Sequence, residues 1–522
     1  MITLKSFVSG RWQAGTGDPA ILVNPSTEEA IAQTSTDGVD FQDALEYART
    51  TGGAALRAMT LGERAALLKS MAKALGENRD ELLDLAMKNG GNTKSDAKFD
   101  IDGAIGTLGA YAYLGKGLGD TRFMLDGEGV PLAKEGSSWG QHVRLPKEGG
   151  AVLINAFNFP GWGFGEKAAC ALLAGMPVIV KPATSTALVT CRMIEILDQA
   201  QVLPTGSVQL IAGATGDLLS HLGEQDVLSF TGSADTGLYL RSGESILSRN
   251  VTVNIEADSL NSAVLAPGVP ADSDTYRLFI KDVSREITQK TGQKCTAVRR
   301  IFVPGADMER VLSDLSARLE GVVVGNTADS DVRMGPVTTA RQLADTRAGI
   351  ELLASGGTVV TGGAEPLEGV SAESGKGYFV RPTLVAIDDA HSATDAHQHE
   401  VFGPVASVMA YDGTPEDAAA LVARGRGSLV ASAYGDDPAW MEGIVMGSAA
   451  WNGRLYLGST GVASSAMGSG MAMPFLLHGG PGRAGNGEEL GGLSGLRLYQ
   501  RRCAVQGDRD LISRVLGVEA NE

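Results

Sequence analysis

From about residue 150 the chain alternates short, continuously apolar runs with segments of helical period. "GAVLINA" is followed by "FGEKAACALLAG", "MPVIVKPA" by "ALVTCRMIEILDQAQ" and "SVQLIAG" by "GDLLSHLG", and "VLSFTGS" closes the series. A strand covered on both faces reads as an unbroken apolar run, so strands alternating with helices predict a doubly wound α/β unit around a parallel sheet. In such a unit ligands bind in the crevice beyond the carboxyl ends of the strands. After "VTVNIEADSLNSAVLAP" a second α/β pattern runs to about residue 478, with a helix near 275–290 and the runs "RRIFVP", "GTVVTGG", "GYFVRPTLV" and "GPVASVMAY". Upstream, Leu68, Met71 and Leu75, then Leu82, Leu85 and Ala86, recur at helical spacing and predict two consecutive helices over 61–88. The pattern alone gives two α/β units with a cleft between them.

The 522 residues exceed what one core organises, in keeping with two units or more. A balance of 44 basic against 61 acidic side chains, net -17, argues against nucleic acid or an anionic membrane as the main partner. "MITLKSFVSGRWQAG" has no signal-peptide core and no apolar run reaches the length of a membrane span, so a cytoplasmic location is expected. Cys170, Cys191, Cys295 and Cys503 are scattered, which predicts neither a metal site nor a disulfide framework. The stretch "GSGMAMPFLLHGGPGRAGNGEELGG" reads as one long loop, a feature that is usually functional or disordered.

Cys295 lies in the polar, basic run "KTGQKCTAVRR". A cysteine kept for packing sits among apolar residues, so this setting points to reactivity. Lys294, Arg299 and Arg300, if near in space, would lower its pKa and favour the nucleophilic thiolate; the alternative is an idle, exposed thiol. Glu256 closes "VTVNIEA", where burial would raise its pKa toward neutrality and suit it to general-base work; the alternative is a solvated loop acid. In "NAFNFPGWGFGEK", Asn158 can donate to a developing oxyanion or cap the next helix, and Lys167 can point into the same cleft. "SFTGSADTG" starts a helix whose amides would face an anion, without the fingerprint of a Rossmann turn or a P-loop. Ser138 in "GSSWG" fits the serine-hydrolase pattern G-x-S-x-G but has no strand before it. His391, His397 and His399 in "HSATDAHQHE" read as a solvated loop rather than a metal site.

In this order, "NAFNFP", "IVKPAT", "SFTGS", "NIEADSLN", "GQKCTA" and "EVFGPV" resemble the aldehyde dehydrogenase superfamily over nearly the whole chain. The resemblance implies an α/β fold of two doubly wound domains with a small oligomerisation β-extension. Residues 1–125 plus 148–261 would form the dinucleotide-binding domain and 262–478 the catalytic domain. Residues 126–147 plus 479–522 would supply the oligomerisation segments of a homodimer or larger homo-oligomer and a C-terminal active-site loop. It further implies that Cys295 is the nucleophile, Glu256 the base, Asn158 the oxyanion donor and Lys167 a proton-relay lysine. Lys181 would reach the adenosine ribose and Glu400 and Phe402 the nicotinamide ribose, with Ala156, Phe157, Gly213, Gly232 and Ser233 completing the cofactor site.

Ala257-Asp258 replaces the usual glycine pair after the base. With "HGGPGRAGNGEELGGL", this variant is similar to a narrower branch. That branch contains the aldehyde dehydrogenase portion of the phenylacetate ring-opening enzyme and the semialdehyde dehydrogenase of the benzoyl-coenzyme A epoxide pathway. Both oxidise semialdehydes carried on coenzyme A. In the first a hydratase domain follows in the same chain, and none is expected here. Glu489, in "GEEL", matches a further acid that shares the base role. NAD-preferring members often bind the ribose hydroxyls with a glutamate where this chain has Thr184. A carboxylate would repel a 2′-phosphate, whereas threonine donates to it and Lys181 adds positive charge, so NADP is expected over NAD. Two rivals remain. A coenzyme A-acylating enzyme would not need the water-activating Glu256, and a silent binding scaffold would not need Cys295, Glu256 and Asn158 together.

Overall fold

The apolar runs become strands buried on both faces. In the computed structural model, which describes residues 1–517, Val178–Lys181 lies parallel between Ala151–Ile154 and Val208–Leu210, pairing Val180 with Leu153 and Leu210. The seven-stranded sheet runs Thr252–Glu256, Val227–Thr231, Ala151–Ile154, Val178–Lys181, Val208–Leu210, then the antiparallel Ser6–Val8 and Arg11–Gln13. Every residue of the helix Pro160–Ala174 is buried, as its apolar circumference requires. It packs against Leu61–Glu77 and Lys94–Lys116. Leu61–Glu77 and Arg79–Gly90 are the two expected consecutive helices, the first opened by a Thr60–Glu63 capping box. Leu68, Met71, Leu75, Leu82 and Ala86 are buried in the core below them, with Leu85 packed at its edge.

The expected helix in "GDLLSHLG" is only a 3₁₀ turn, Leu218–His221. Held between Gly216, in the left-handed region, and Gly223, it is too short to offset the cost of nucleating an α-helix.

The second seven-stranded sheet has its own core and runs Thr358–Thr361, Thr383–Ile387, Val405–Tyr411, Arg300–Pro304, Ser262–Leu265, Ser428–Tyr434, Asn452–Gly458, all parallel except the first. The strand expected across "GYFVRPTLV" starts only at Thr383, because Pro382 has no N–H for the ladder. A third sheet joins Ser138–Pro146 antiparallel to Gln500–Asp508, Met124–Leu125 and Val130–Pro131. Ser138 opens a strand here, without the strand-turn-helix of a hydrolase nucleophile. The last five residues of the segment expected at 479–522 lie outside the described residues. Among the described residues no helix is long and apolar enough to cross a membrane, and all four cysteines are free thiols.

The glycine-rich C-terminal stretch is not one loop. Leu477–Gly480 and Gly487–Leu490 form an antiparallel hairpin that sets His478 opposite Glu489. A Cβ at Gly485 or at Gly487 would stand 2.3 Å from the Ile255 carbonyl oxygen. The missing side chains therefore let the hairpin lie against the strand that ends at Glu256.

The helix Asp274–Thr288 reaches Cys295 through Lys290, Thr291 and Gly292, all left-handed, at φ 53°, 56° and 66°. The conformation is costly for Lys290 and the β-branched Thr291 and is held by tertiary bonds. Lys290 N–H donates to Asp96 Oδ1 at 3.0 Å and Thr291 Oγ1 to the Gly335 carbonyl at 3.0 Å. A Cβ at Gly292 would lie 2.1 Å from the Gly403 carbonyl oxygen. Gly292→Ala is expected to cost about 2–4 kcal/mol through left-handed strain and overpacking. Displacing the Cys295 loop by even 1 Å should lower turnover ~10²-fold. Urea unfolding and initial rates on the purified variant check both; unchanged rates would show that the loop does not set the position of Cys295.

Candidate active site

Strand ends, one helix, one loop and the hairpin converge on a single pocket. Glu256 and Thr231 end neighbouring parallel strands and pair in register. Asn158 sits in the turn after Ala151–Ile154, and Lys167 projects from the helix that follows. Asn158, Lys167, Glu256, Cys295 and His478 line the pocket, whose apolar wall is Phe99, Phe159 and Trp162. These three rings meet edge to face, with centroids 5.2 to 5.8 Å apart.

His478 Nε2 stands 3.8 Å from Cys295 Sγ and 3.3 Å from Glu256 Oε2. Behind them, Lys167 Nζ donates to Thr231 Oγ1 at 2.7 Å and lies 3.3 Å from Glu489 Oε2 and 3.4 Å from Glu166 Oε1. Glu489 Oε1 accepts from Asn254 Nδ2 at 2.9 Å and Ser229 Oγ at 3.3 Å. All five predicted chemical residues therefore gather here, with Glu489 behind Lys167 rather than on the pocket wall. Sequence reasoning missed His478 and Glu166. The available signal for His478 was the pairing of "LLHGG" with "GEEL" across a glycine-rich turn, which sets it opposite Glu489.

The basic neighbours of Cys295 do not activate it as expected. Lys294 Nζ is paired with Glu286 at 2.6 Å, and Arg299 Nε with Glu400 at 3.3 Å. Arg300 donates to the carbonyls of Leu260, Leu421 and Val422. Burial, then the Glu256 charge, instead push the Cys295 thiol well above its ordinary pKa. The expectation for Glu256 also reverses. Burial raises its pKa, but the His478 and Lys167 charges together outweigh burial and hold the carboxylate below its usual range. Burial works against the charged forms of Lys167 and His478, yet both are raised, Lys167 by Glu489, Glu166 and Glu256, and His478 chiefly by Glu256. Burial pushes Glu166 up to about 7 and raises Glu489. The cation among these carboxylates is the Lys167 ammonium. The histidines near 391–399 divide: His391 and His399 are exposed, but His397 is buried between Arg300 Nη1 and the Ala390 carbonyl.

A second cavity of about 870 Å³ adjoins the first and reaches Glu256 and Cys295. Ala156, Phe157, Lys181, Gly232, Ser233, Glu400 and Phe402 line it as predicted. Thr184 and Gly213 do not; their neighbours Ala183 and Thr215 do. Thr184 turns into a 3₁₀ segment, and Gly213 packs against the Thr36 methyl. At the helix start in "SFTGS", Ser233 accepts from Thr236 N–H and Asp258 from Ala234 N–H at 2.9 Å. Glu400 accepts from Ser259 N–H at 3.1 Å, and Phe402 meets Phe157 edge to face at 5.8 Å. The buried Asn155 amide has no partner at either Nδ2 or Oδ1 and faces both cavities. A cavity of this size with an unpaired buried amide and a lysine in its wall fits a nicotinamide dinucleotide.

Residues 12–502 match the aldehyde dehydrogenase family. The chain belongs to this family. It is 46% identical over 479 residues to 3,4-dehydroadipyl-CoA semialdehyde dehydrogenase of Aromatoleum evansii, covering 92% of this chain and 93% of that protein. It is 28% identical over 420 residues to the alpha-ketoglutaric semialdehyde dehydrogenase of Bacillus subtilis (strain 168), covering 79% and 82% of the two chains. Betaine aldehyde dehydrogenase from Staphylococcus aureus, crystallised with NAD+, shares the fold with a TM-score of 0.84 and 22% identity, over 97% of this chain and 94% of that one. This aldehyde dehydrogenase is thus an oxidoreductase acting on aldehydes, in a family that uses a nicotinamide cofactor.

Proposed function

We propose that this aldehyde dehydrogenase oxidises a semialdehyde carried on coenzyme A to the carboxylic acid, with NADP as hydride acceptor, through a thiohemiacetal and a thioester on Cys295. The observation that carries the reading is the meeting of Cys295, Glu256 and Asn158 where the substrate pocket opens into the dinucleotide-sized cavity. Cys295 Sγ attacks the aldehyde carbon, and Asn158 with the Cys295 backbone N–H holds the oxygen as it gains charge. NADP, held by Lys181, Ser233, Glu400 and Phe402, would accept the hydride. Glu256, ionised at neutral pH, then takes a proton from the water that attacks the thioester. Lys167 and Glu489 hold Glu256 in a fixed charge environment and offer a path for that proton away from the pocket.

The aromatic wall suits an apolar chain next to the aldehyde. The 46% identity to a dehydrogenase named for a CoA semialdehyde supports the coenzyme A handle and a place in aromatic-compound breakdown. The cavity-lining Lys181 supports NADP over NAD, whereas Thr184, outside the cavity wall, does not bear on the choice. The two large sheets serve as the dinucleotide-binding and catalytic domains, with the sheet around Ser138–Pro146 open to a second copy in a cytoplasmic homodimer.

Absorbance at 340 nm with a six-carbon CoA-linked semialdehyde tests the reading. The expected result is reduction without added thiol, free acid as product, and kcat/KM at least ~10-fold higher with NADP than NAD, about 1.4 kcal/mol. Turnover only with added coenzyme A would replace hydrolysis by acyl transfer, and a preference for NAD would overturn the cofactor choice.

A further inference from the structure

We propose that His478 is the catalytic base for the nucleophile: its Nε2 takes the Cys295 proton as Sγ bonds to the aldehyde carbon. The proposal rests on Cys295 being that nucleophile. His478 is 4% exposed and lies on the pocket wall. A single ring nitrogen faces both reacting partners, with Sγ at 3.8 Å and Glu256 Oε2 at 3.3 Å. His478 Nδ1 is buried without a hydrogen-bond partner, and the polar neighbour of Glu256 Oε2 is His478 Nε2. His397, by contrast, is tied on both nitrogens, to Arg300 and to the Ala390 carbonyl. His478 Nε2 instead stands between the Cys295 thiol and the Glu256 carboxylate, the position of a group that passes a proton.

The groups facing His478 favour this transfer. Glu256 comes from its strand, Cys295 from its loop, Glu166 and Lys167 from the buried helix and Glu489 from across the hairpin, with Arg454 on the strand Asn452–Gly458. The carboxylates favour an imidazolium at His478, while burial and the same carboxylates disfavour a lone thiolate. The basic side chains next to Cys295 in sequence are paired elsewhere, so His478, in its neutral form, is the imidazole that can take the sulfur's proton.

The protons balance through the cycle. As the Sγ–C bond forms, the carbonyl π pair moves to oxygen and the thiol proton moves to Nε2. After the hydride has left, Glu256 takes a proton from water as hydroxide adds to the thioester. The C–S bond then breaks, and the departing sulfur recovers its proton from the imidazolium. Each residue handles one proton, and Glu256 is free for water because His478 has served the thiol.

The test compares wild type, His478→Asn and Cys295→Ala by two readouts across pH: the rate of Cys295 alkylation by iodoacetamide, and the first-turnover burst at 340 nm. His478→Asn is expected to slow the neutral-pH burst by ~10²-fold or more, the usual scale of general-base catalysis. Its alkylation limb should move to higher pH and the burst should recover there, where the thiol ionises unaided, with KM little changed. Recovery at alkaline pH also shows the variant is folded. A wild-type burst and alkylation limb in His478→Asn would overturn the proposal, as would a burst that stays slow at every pH. Turnover by Cys295→Ala would instead defeat the nucleophile itself, so the two failures are distinct.

Discussion

Cys295→Ala will lose multiple-turnover aldehyde oxidation by on the order of 10⁵-fold, the scale seen when a covalent nucleophile is removed, while Glu256→Gln will release about one NADPH per site and then stall. The two variants separate the halves of the reaction because the two neighbouring groups are proposed to act in different steps. Cys295, Asn158 and Glu256 all line both cavities, and with His478 proposed to take the thiol proton, attack and hydride loss are expected without a carboxylate at Glu256. Hydrolysis does need one, and Glu256 is suited to it because His478 and Lys167 keep it ionised despite its burial. Rapid mixing at 340 nm followed by product analysis reads both steps. Full steady-state turnover by Glu256→Gln would transfer the water-activating role to another carboxylate, with Glu489 behind Lys167 the first to examine.

Lys167→Met will destabilise the protein by about 3–5 kcal/mol, the cost of leaving buried charges without a partner. The ammonium is almost wholly buried and lies within 3.4 Å of carboxylate oxygens from Glu166 and Glu489. Removing it leaves Glu166, Glu489 and Glu256 crowded together without the ammonium between them. The variant should recover part of its stability in acid. Glu166 and Glu489 already have raised pKa values, so the folded state binds more protons than the unfolded chain. Their contribution is fully present below the ordinary carboxylate pKa and is lost as pH rises through the folded value, about 7 for Glu166. Urea midpoints at pH 5 and pH 8 check this: the deficit of Lys167→Met should be larger at pH 8. An equal deficit at both would show that the carboxylates are not what Lys167 balances.

The strands were legible because parallel strands covered on both faces leave unbroken apolar runs, and the candidate chemistry could be placed where those runs end, at Glu256 and Asn158. The environment of each group was not. Lys294, Arg299 and Arg300 look like activators of Cys295 along the chain, but their partners Glu286 and Glu400 and the carbonyl oxygens bound by Arg300 come from other segments and draw them away. The sign of the Glu256 shift depends on His478, which arrives on a hairpin from more than two hundred residues downstream. Glycine content marked that stretch as a loop, whereas the glycines permit close backbone packing of the hairpin against the Glu256 strand. Thr184 and Gly213 fell outside the larger cavity because adjacent residues along a turn face different sides.

The proposed mechanism passes through an acyl group held by Cys295 and released by Glu256. Its most direct test is intact-protein and peptide mass spectrometry of Glu256→Gln, quenched in acid after one turnover with NADP and a CoA-linked semialdehyde. The predicted result is a thioester adduct of the acyl mass on the peptide containing Cys295, in step with the NADPH burst. A burst of NADPH with Cys295 unmodified, or an adduct on a different residue, would contradict it.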